Sequence, residues 1–146
     1  LEKISHQISY IGQETSLFQL SLKENISLQN SITDGQFQEL CKQVGLEKWA
    51  DQSTEFDSIL STASGGEKRR IDLARLLFFD REILLFDEPT AGLDSQNRLK
   101  VEEVVKQLEN KLIVYSTHQY DEEFMQQFDY CLEIQDGSIV MRAIKA

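Results

Sequence analysis

Apolar residues recur at helical spacing over residues 67–79, directly after a Ser-Gly-Gly sequence. Ile71, Ala74 and Leu76 belong to this stripe, which predicts a helix with one face in the core. Residues 82–86 then form a short apolar run, which has the length of a strand buried on both faces. The pattern therefore predicts a helix followed by a buried strand, and polar residues bound both elements.

The rest of the chain predicts an α/β fold with a helical part and a sheet part. Asp34 is the expected N-cap of a helix, and Asp136-Gly137 predicts a tight hairpin between the last two strands. Further strand-like runs occupy residues 8–11, 111–115, 130–134 and 138–141. Further helical spacing is expected over residues 21 to about 51, 95–109 and 120–127.

Ser64, Gly65, Gly66 and Glu67 open the helix of residues 67–79. The free N–H groups of a first helical turn and the positive end of the helix dipole favour an anion, and two glycines let a phosphate approach closely. The same residues also match the Ser-x-x-Glu capping box that begins many helices. For an isolated match the capping box is the commoner interpretation, so the decision depends on the next element.

Two carboxylates, Asp87 and Glu88, end the apolar run. Adjacent residues of a strand point to opposite sides, so one carboxylate can hold a hydrated Mg²⁺ while the other orients water. By itself, Asp-Glu-Pro after a strand is more often a solvated turn. After a Ser-Gly-Gly helix, however, it predicts a nucleotide triphosphatase that binds a phosphate and its magnesium ion.

The Ser-Gly-Gly-Glu turn and the Asp-Glu-Pro strand end, in this order along the chain, resemble motifs of the nucleotide-binding domain of ABC transporters. Residues 63–67 resemble the signature LSGGQ, residues 83–88 resemble Walker B and residues 91–94 resemble the D-loop. His118, within Ser-Thr-His, is similar to the switch histidine, and Gln13 occupies the Q-loop position. The resemblance covers nearly the whole chain and implies an ATPase that binds ATP and Mg²⁺.

The chain also departs from the family pattern. The signature begins with Ala63 where the family has Leu, and it ends with Glu67 where the family has Gln. The second change puts a carboxylate beside the phosphate-binding turn. Residues 17–18 and 23–26 resemble exporter-type members, but residues 54–62 do not show the glycine-containing segment of that type.

A P-loop, G-x-x-x-x-G-K-[ST], is missing, because none of the seven glycines is followed by Lys. We therefore expect the chain, which starts at Leu1, to be the C-terminal part of a nucleotide-binding domain. Residues 1–13 and 80–146 would form an incomplete P-loop NTPase-like core, and residues from about 14 to 79 a helical subdomain with the signature. Alone, the chain is expected to bind Mg-ATP weakly and to hydrolyse none measurably.

The family places its P-loop strand between the strands that match residues 111–115 and 130–134. Without that strand, two rows of backbone N–H and C=O groups would lack partners, and such edges invite pairing with another chain. We therefore expect either that the C-terminal hairpin rearranges to close the gap or that the chain self-associates.

The resemblance implies a catalytic role for Glu88 and His118. Glu88 would be the general base or water-orienting carboxylate, and His118 would contact the γ-phosphate and hold the attacking water. Asp87 would hold Mg²⁺, and Gln13 would sense the metal and the γ-phosphate. The expected cofactors are therefore ATP and Mg²⁺.

The signature and the D-loop imply partners. Ser64, Gly65, Gly66 and Glu67 would bind nucleotide held by a second, head-to-tail nucleotide-binding domain, and Asp94 would bridge the two sites. Transmembrane domains would be the other partner, at the cytoplasmic face of the cell membrane. The alternative is a non-hydrolysing ABC-type interaction or dimerisation module. The presence of both a Walker B glutamate and a switch histidine argues against this alternative.

Charge and composition narrow the choice of partners further. A formal net charge of -10 argues against nucleic acid and against an anionic lipid surface. The sequence contains no run that approaches the roughly 20 apolar residues needed to span a bilayer. Cys41 and Cys131 lack metal-ligand spacing and are expected to be buried thiols of a cytosolic protein.

Overall fold

The computed structural model describes residues 6–50, 62–119 and 121–145. Three parallel strands form the first sheet, in the order β1-β2-β3. Their bounds are Ile8–Ile11 for β1, Ile83–Asp87 for β2 and Leu112–Ser116 for β3. The three predicted strands are therefore present: β1 has the expected bounds, and the ends of β2 and β3 are shifted by one residue.

Six helices lie in the described part of the chain. They are α1 Leu22–Ser27, α2 Asp34–Gln43, α3 Glu47–Ala50, α4 Gly65–Phe79, α5 Ser95–Lys106 and α6 Glu122–Met125. Helices α5 and α6 are shorter than predicted. Tyr120, the expected start of α6, lies outside the described residues. Residues 54–61, part of the segment compared with exporter-type members, also lie outside them. No helix of the described chain has the length and apolar character needed to cross a membrane.

The prediction of Asp34 as an N-cap is wrong. Thr33 is the N-cap of α2, because its backbone is extended and its hydroxyl accepts a hydrogen bond from the Gln36 N–H group. Gln36 completes a capping box by accepting from the Thr33 N–H group. Asp34 is the first helical residue, where a carboxylate still interacts favourably with the helix dipole.

Helix α4 lies at the centre of the core and contacts α1, α2, α5 and β1. Ile71, Leu73 and Ala74 on this helix are fully buried, and Leu76 nearly so. Burial of such apolar side chains contributes about 25 cal/mol per Å² of surface removed from water, so α4 is a major source of stability.

β2 was predicted to be buried on both faces, but only one face is fully buried. Leu84 and Phe86 are buried, whereas Ile83 and Leu85 are half-buried. Val114, the register partner of Leu85 on β3, is 52% exposed. Helices cover one face of the sheet, and apolar side chains of the opposite face remain partly in solvent.

The C-terminal hairpin forms a separate two-stranded sheet from β4 Tyr130–Gln135 and β5 Ser138–Ala143. Asp136 and Gly137 connect them with φ angles of 49° and 77°, which is the left-handed geometry of the predicted tight turn. Cys131 on β4 is half-buried, so the expectation of a buried thiol is correct for Cys41 and wrong here. Burial raises the pKa of the Cys41 thiol to about 12.

The expectation that the hairpin closes the gap beside β3 is wrong, because β4 pairs with β5 and not with β3. Phe124 and Phe128 pack against Tyr115 of β3, with ring centroids 5.2 and 5.7 Å from the tyrosine ring. We attribute the position of the hairpin to this aromatic cluster, which fixes the chain just before β4. The expectation of self-association, and the predicted division of the chain near residues 14 and 79, stay predictions.

Candidate functional site

The carboxyl ends of the three parallel strands meet at one edge of the first sheet. β2 ends at Asp87, and its register partner on β3 is Ser116, the last residue of that strand. Gln13 follows β1 by two residues, and His118 follows β3 by two residues. This is the edge at which open α/β sheets bind ligands, so the fold brings residues from three predicted motifs together there.

Both carboxylate oxygens of Asp87 accept hydrogen bonds from hydroxyl groups of the neighbouring strands. Ser116 donates to Oδ1 at 2.8 Å, and Tyr10 on β1 donates to Oδ2 at 3.2 Å. Tyr10 belongs to none of the motifs named above, whereas Ser116 begins the Ser-Thr-His sequence that contains His118. The register of Asp87 with Ser116 in a parallel pair is the signal by which the serine is found.

Asp87 fits a hydrated Mg²⁺ better than a closed metal cage. Within the described ranges, no group of three or more His, Cys, Asp or Glu side chains converges as a metal site. Mg²⁺ usually takes one or two carboxylates and completes its shell with water and phosphate oxygens. A single carboxylate oriented by two hydroxyl donors is consistent with that kind of binding.

Glu88 follows the strand and leaves its path. Its φ angle of 47° lies in the left-handed region, and its N–H group donates to the carbonyl oxygen and the hydroxyl of Ser116. Oε2 of Glu88 lies 2.9 Å from Nδ1 of His118, so the two side chains are in direct contact. The turn therefore pairs the two predicted catalytic residues directly.

Ser64 is the N-cap of α4 and forms the capping box that the sequence left as an alternative. Its hydroxyl accepts from the Glu67 N–H group at 3.2 Å, and the Glu67 carboxylate accepts from the Ser64 N–H group at 2.8 Å. The structure thus accounts for Ser64 and Glu67 by helix capping alone. Capping and anion binding are compatible, because the cap leaves other N–H groups of the first turn free of intrahelical partners.

The two glycines of this turn differ in their surroundings. A Cβ atom on Gly65 would meet nothing within 4 Å, so the space beside it is open to a ligand. A Cβ atom on Gly66 would lie 2.4 Å from Cγ of Asn97 on α5. Close packing of α4 on α5 therefore requires glycine at position 66 whether or not a phosphate binds.

Asn97 also connects the signature turn to the predicted D-loop. Asp94, the N-cap of α5, accepts from the Asn97 N–H group at 2.9 Å and from its side-chain amide at 2.6 Å. These hydrogen bonds lower the pKa of Asp94. Arg70 of α4 donates to Oδ1 of Asn97, so one asparagine joins the two segments.

A row of charged side chains on α4 binds the segment that contains Gln13. Arg69 donates to the carbonyl oxygens of Gly12 and Gln13, the latter at 2.6 Å. Asp72 accepts from the Thr15 hydroxyl at 2.5 Å, and Arg75 donates to Asp72 at 3.0 Å. The Gln13 side chain itself is exposed. This row was not predicted, although charges three residues apart within an apolar stripe are a sequence signal for it.

Comparisons with known proteins identify relatives of the chain. The model of a family described as "ABC transporter" matches residues 1–91. The glutathione/L-cysteine transport system ATP-binding/permease protein CydC of Haemophilus influenzae is 33% identical over 147 residues, which cover 95% of this chain and 25% of that protein. The energy-coupling factor transporter ATP-binding protein EcfA2 of Mesomycoplasma hyopneumoniae is 38% identical over 104 residues, which cover 70% of this chain and 33% of that protein.

A solved structure shares the fold. A bacterial Atm1-family ABC exporter with ATP bound gives a TM-score of 0.79 at 20% identity, over 95% of this chain and 25% of that one. The predicted fold class, an incomplete ABC ATPase core with an attached helical part, is thereby confirmed. The chain spans about a quarter of the length of the exporter and of the Haemophilus influenzae protein.

Proposed function

Because this chain belongs to the ABC transporter family, we propose that it supplies ATP-binding and ATP-hydrolysing groups to a transporter that moves a solute across a membrane. The contact between Glu88 and His118, at the edge where Asp87 also lies, carries the proposal. A carboxylate oriented by a neighbouring side chain is suited to accept a proton from an attacking water.

Each group at this edge receives one role. Glu88 accepts the proton of the water that attacks the γ-phosphate, and His118 holds the Glu88 carboxylate in place and contacts that phosphate. Asp87 would hold Mg²⁺, with Tyr10 and Ser116 fixing the orientation of its oxygens. Mg²⁺, when bound, neutralises charge on the phosphate oxygens. Gln13, two residues after β1, would sense the metal and the γ-phosphate.

The N-terminus of α4 faces a different nucleotide in this proposal. Ser64, Gly65 and Gly66 bind the γ-phosphate held by a second, head-to-tail nucleotide-binding domain, and Asp94 bridges the two sites. The open space beside Gly65 and the free N–H groups of the first helical turn support this role. Transmembrane domains are the remaining partner, which places the chain at the cytoplasmic face of a membrane.

The two histidines of the chain offer a matched test. In the natural full-length protein, His118→Ala should lower the rate of Mg²⁺-dependent ATP hydrolysis by roughly tenfold to a hundredfold through lost positioning. His6→Ala removes an exposed imidazole near the start of β1 and should leave the rate unchanged.

Two results would contradict the proposal. Equal hydrolysis rates in His118→Ala and His6→Ala would remove the role of the histidine. A wild-type protein that binds the nucleotide without hydrolysing it would favour the alternative, a non-hydrolysing interaction or dimerisation module.

A further inference from the structure

Glu67 places a negative charge at the N-terminus of α4, where the proposed function needs a phosphate. Its side chain is 12% exposed, and its carboxylate accepts from the N–H group of Ser64 at 2.8 Å and from the Ser64 hydroxyl at 2.9 Å. An internal carboxylate therefore already interacts with the positive end of the helix dipole. A second anion that approached this turn would be repelled unless the charge of Glu67 were compensated.

Lys48 on α3 supplies a cation at that position. Its Nζ lies 2.5 Å from Oε1 of Glu67 and 5.0 Å from the centre of the Trp49 ring. Burial by itself would raise the pKa of Glu67, but hydrogen bonds from Lys48 and Ser64 outweigh burial and lower it. The carboxylate is therefore ionised and paired.

Arg70 also lies close enough for its charge to interact with that of Glu67, but its side-chain hydrogen bond goes to another residue. Arg70 is buried and its guanidinium donates to Asn97, which in turn binds Asp94. Among the described residues, Lys48 is the basic side chain that forms an ion pair with Glu67. The ion pair that compensates this charge therefore comes from a residue of another helix.

We propose that Lys48 is a positioning residue for the nucleotide-binding turn. By pairing with Glu67, it cancels the charge of the carboxylate and keeps it in the capping box, so that the N–H groups beside Gly65 remain favourable for a phosphate. The inference rests on the proposed function, since it assumes that this turn binds nucleotide. It also explains how a signature that ends in Glu can act like one that ends in Gln.

The test compares four variants of the natural full-length protein in binding a non-hydrolysable ATP analogue. Lys48→Ala should weaken binding roughly three- to tenfold, the effect expected of one unpaired charge at a partly exposed site. Lys42→Ala removes an exposed lysine from α2 and should change nothing. Glu67→Gln should bind at least as tightly as wild type, and Lys48→Ala with Glu67→Gln should match Glu67→Gln within about twofold, because no carboxylate charge is left to compensate.

Rescue separates charge compensation from a merely structural role, since a folding defect caused by the loss of Lys48 would persist in the double variant. Equal binding by Lys48→Ala and Lys42→Ala, or a double variant as weak as Lys48→Ala, would overturn the inference while leaving the proposed function intact. A wild-type protein that binds no analogue would overturn the proposed function and the inference together.

Discussion

Asp87 is oriented from both sides, by hydroxyl groups of the two strands that flank β2. Tyr10 and Ser116 each bind one of its oxygens, so the carboxylate is fixed before any ligand arrives. Groups that are fixed in advance need less reorganisation when a cation binds. The orientation of Asp87 therefore depends on Tyr10, which lies outside the recognised motifs, and on Ser116, which was quoted only as a neighbour of His118.

Substitution of each glycine by alanine tests which of the two is required for helix packing. Gly66→Ala should destabilise the protein by about 1–3 kcal/mol, because the new methyl group would collide with Asn97. Gly65→Ala enters open space and should change stability by less than about 1 kcal/mol. Urea unfolding of both variants without nucleotide tests the prediction, and equal stabilities would contradict it.

Asp94 should give the stability of the protein a dependence on acid pH. Its hydrogen bonds from Asn97 lower the pKa in the folded state, so its contribution is present above the pKa of the unfolded chain and is lost as the pH falls through the folded-state value. Asp94→Asn keeps a good N-cap without a titrating group. The difference in unfolding free energy between wild type and variant should therefore shrink between about pH 5 and pH 2. A constant difference over that range would argue against the prediction.

At the scale of elements, α4 connects three segments of the candidate site. Its N-terminal turn carries Ser64, Arg70 reaches the D-loop through Asn97, and Arg69 holds the carbonyl oxygen of Gln13. Movement of this helix would therefore shift the signature turn and the Q-loop backbone together.

Removal of one hydroxyl tests the link between α4 and the Q-loop. Thr15→Val keeps the size of the side chain but removes the hydroxyl that donates to Asp72 at 2.5 Å, and because Arg75 still donates to Asp72, the loss should cost about 0.5–1.5 kcal/mol. Amide hydrogen exchange of residues 12–16 should become faster in this variant. Ser16→Ala, which leaves the Arg75 contact with the backbone of position 16 in place, is the control. Equal exchange in both variants would show that the hydroxyl does not hold the segment.

The sequence predicted the helices and strands, and it singled out Asp87, Glu88 and His118, which the structure brings together, because motif order and hydrophobic period are local features. Strands β1, β2 and β3 lie within one residue of their predicted bounds. Arg69 and Asp72 were missed because charged residues on a helix are usually solvated, and only the fold shows that this side of α4 faces a loop. Lys48 gave no signal, because its partner is 19 residues away along the chain. Asp34 was predicted as the N-cap of α2 in place of Thr33, because both residue types favour the N-cap position.

At the scale of the whole molecule, β3 and the hairpin expose apolar side chains. Leu112 and Val114 on β3 are 60% and 52% exposed, and Ile134 on β4 is 82% exposed. The described partners of β3 lie on one side of it, since β2 pairs with it and the hairpin does not. Such a strand edge is a favourable site for pairing with another chain.

We therefore predict that the 146-residue chain self-associates. Sedimentation velocity over a wide range of concentrations should show an increasing average mass. Val114→Lys should reduce the association, because a charge on an edge strand opposes pairing. Leu99→Lys is the control, because it adds the same charge at an exposed position of α5, away from the sheet. A monomer at every concentration would contradict the prediction.

The most direct test of the central claim, that Glu88 is the residue that activates water for ATP hydrolysis, is the comparison of turnover and nucleotide binding in one variant. Glu88→Gln keeps the size of the side chain and an amide oxygen that can contact His118, but it removes the basic carboxylate. In the natural full-length protein, ATP turnover should fall on the order of 10²-fold or more while ATP affinity stays within a few-fold of wild type. Glu103→Gln, at an exposed position of α5, should alter neither quantity. Unchanged turnover in Glu88→Gln would contradict the account.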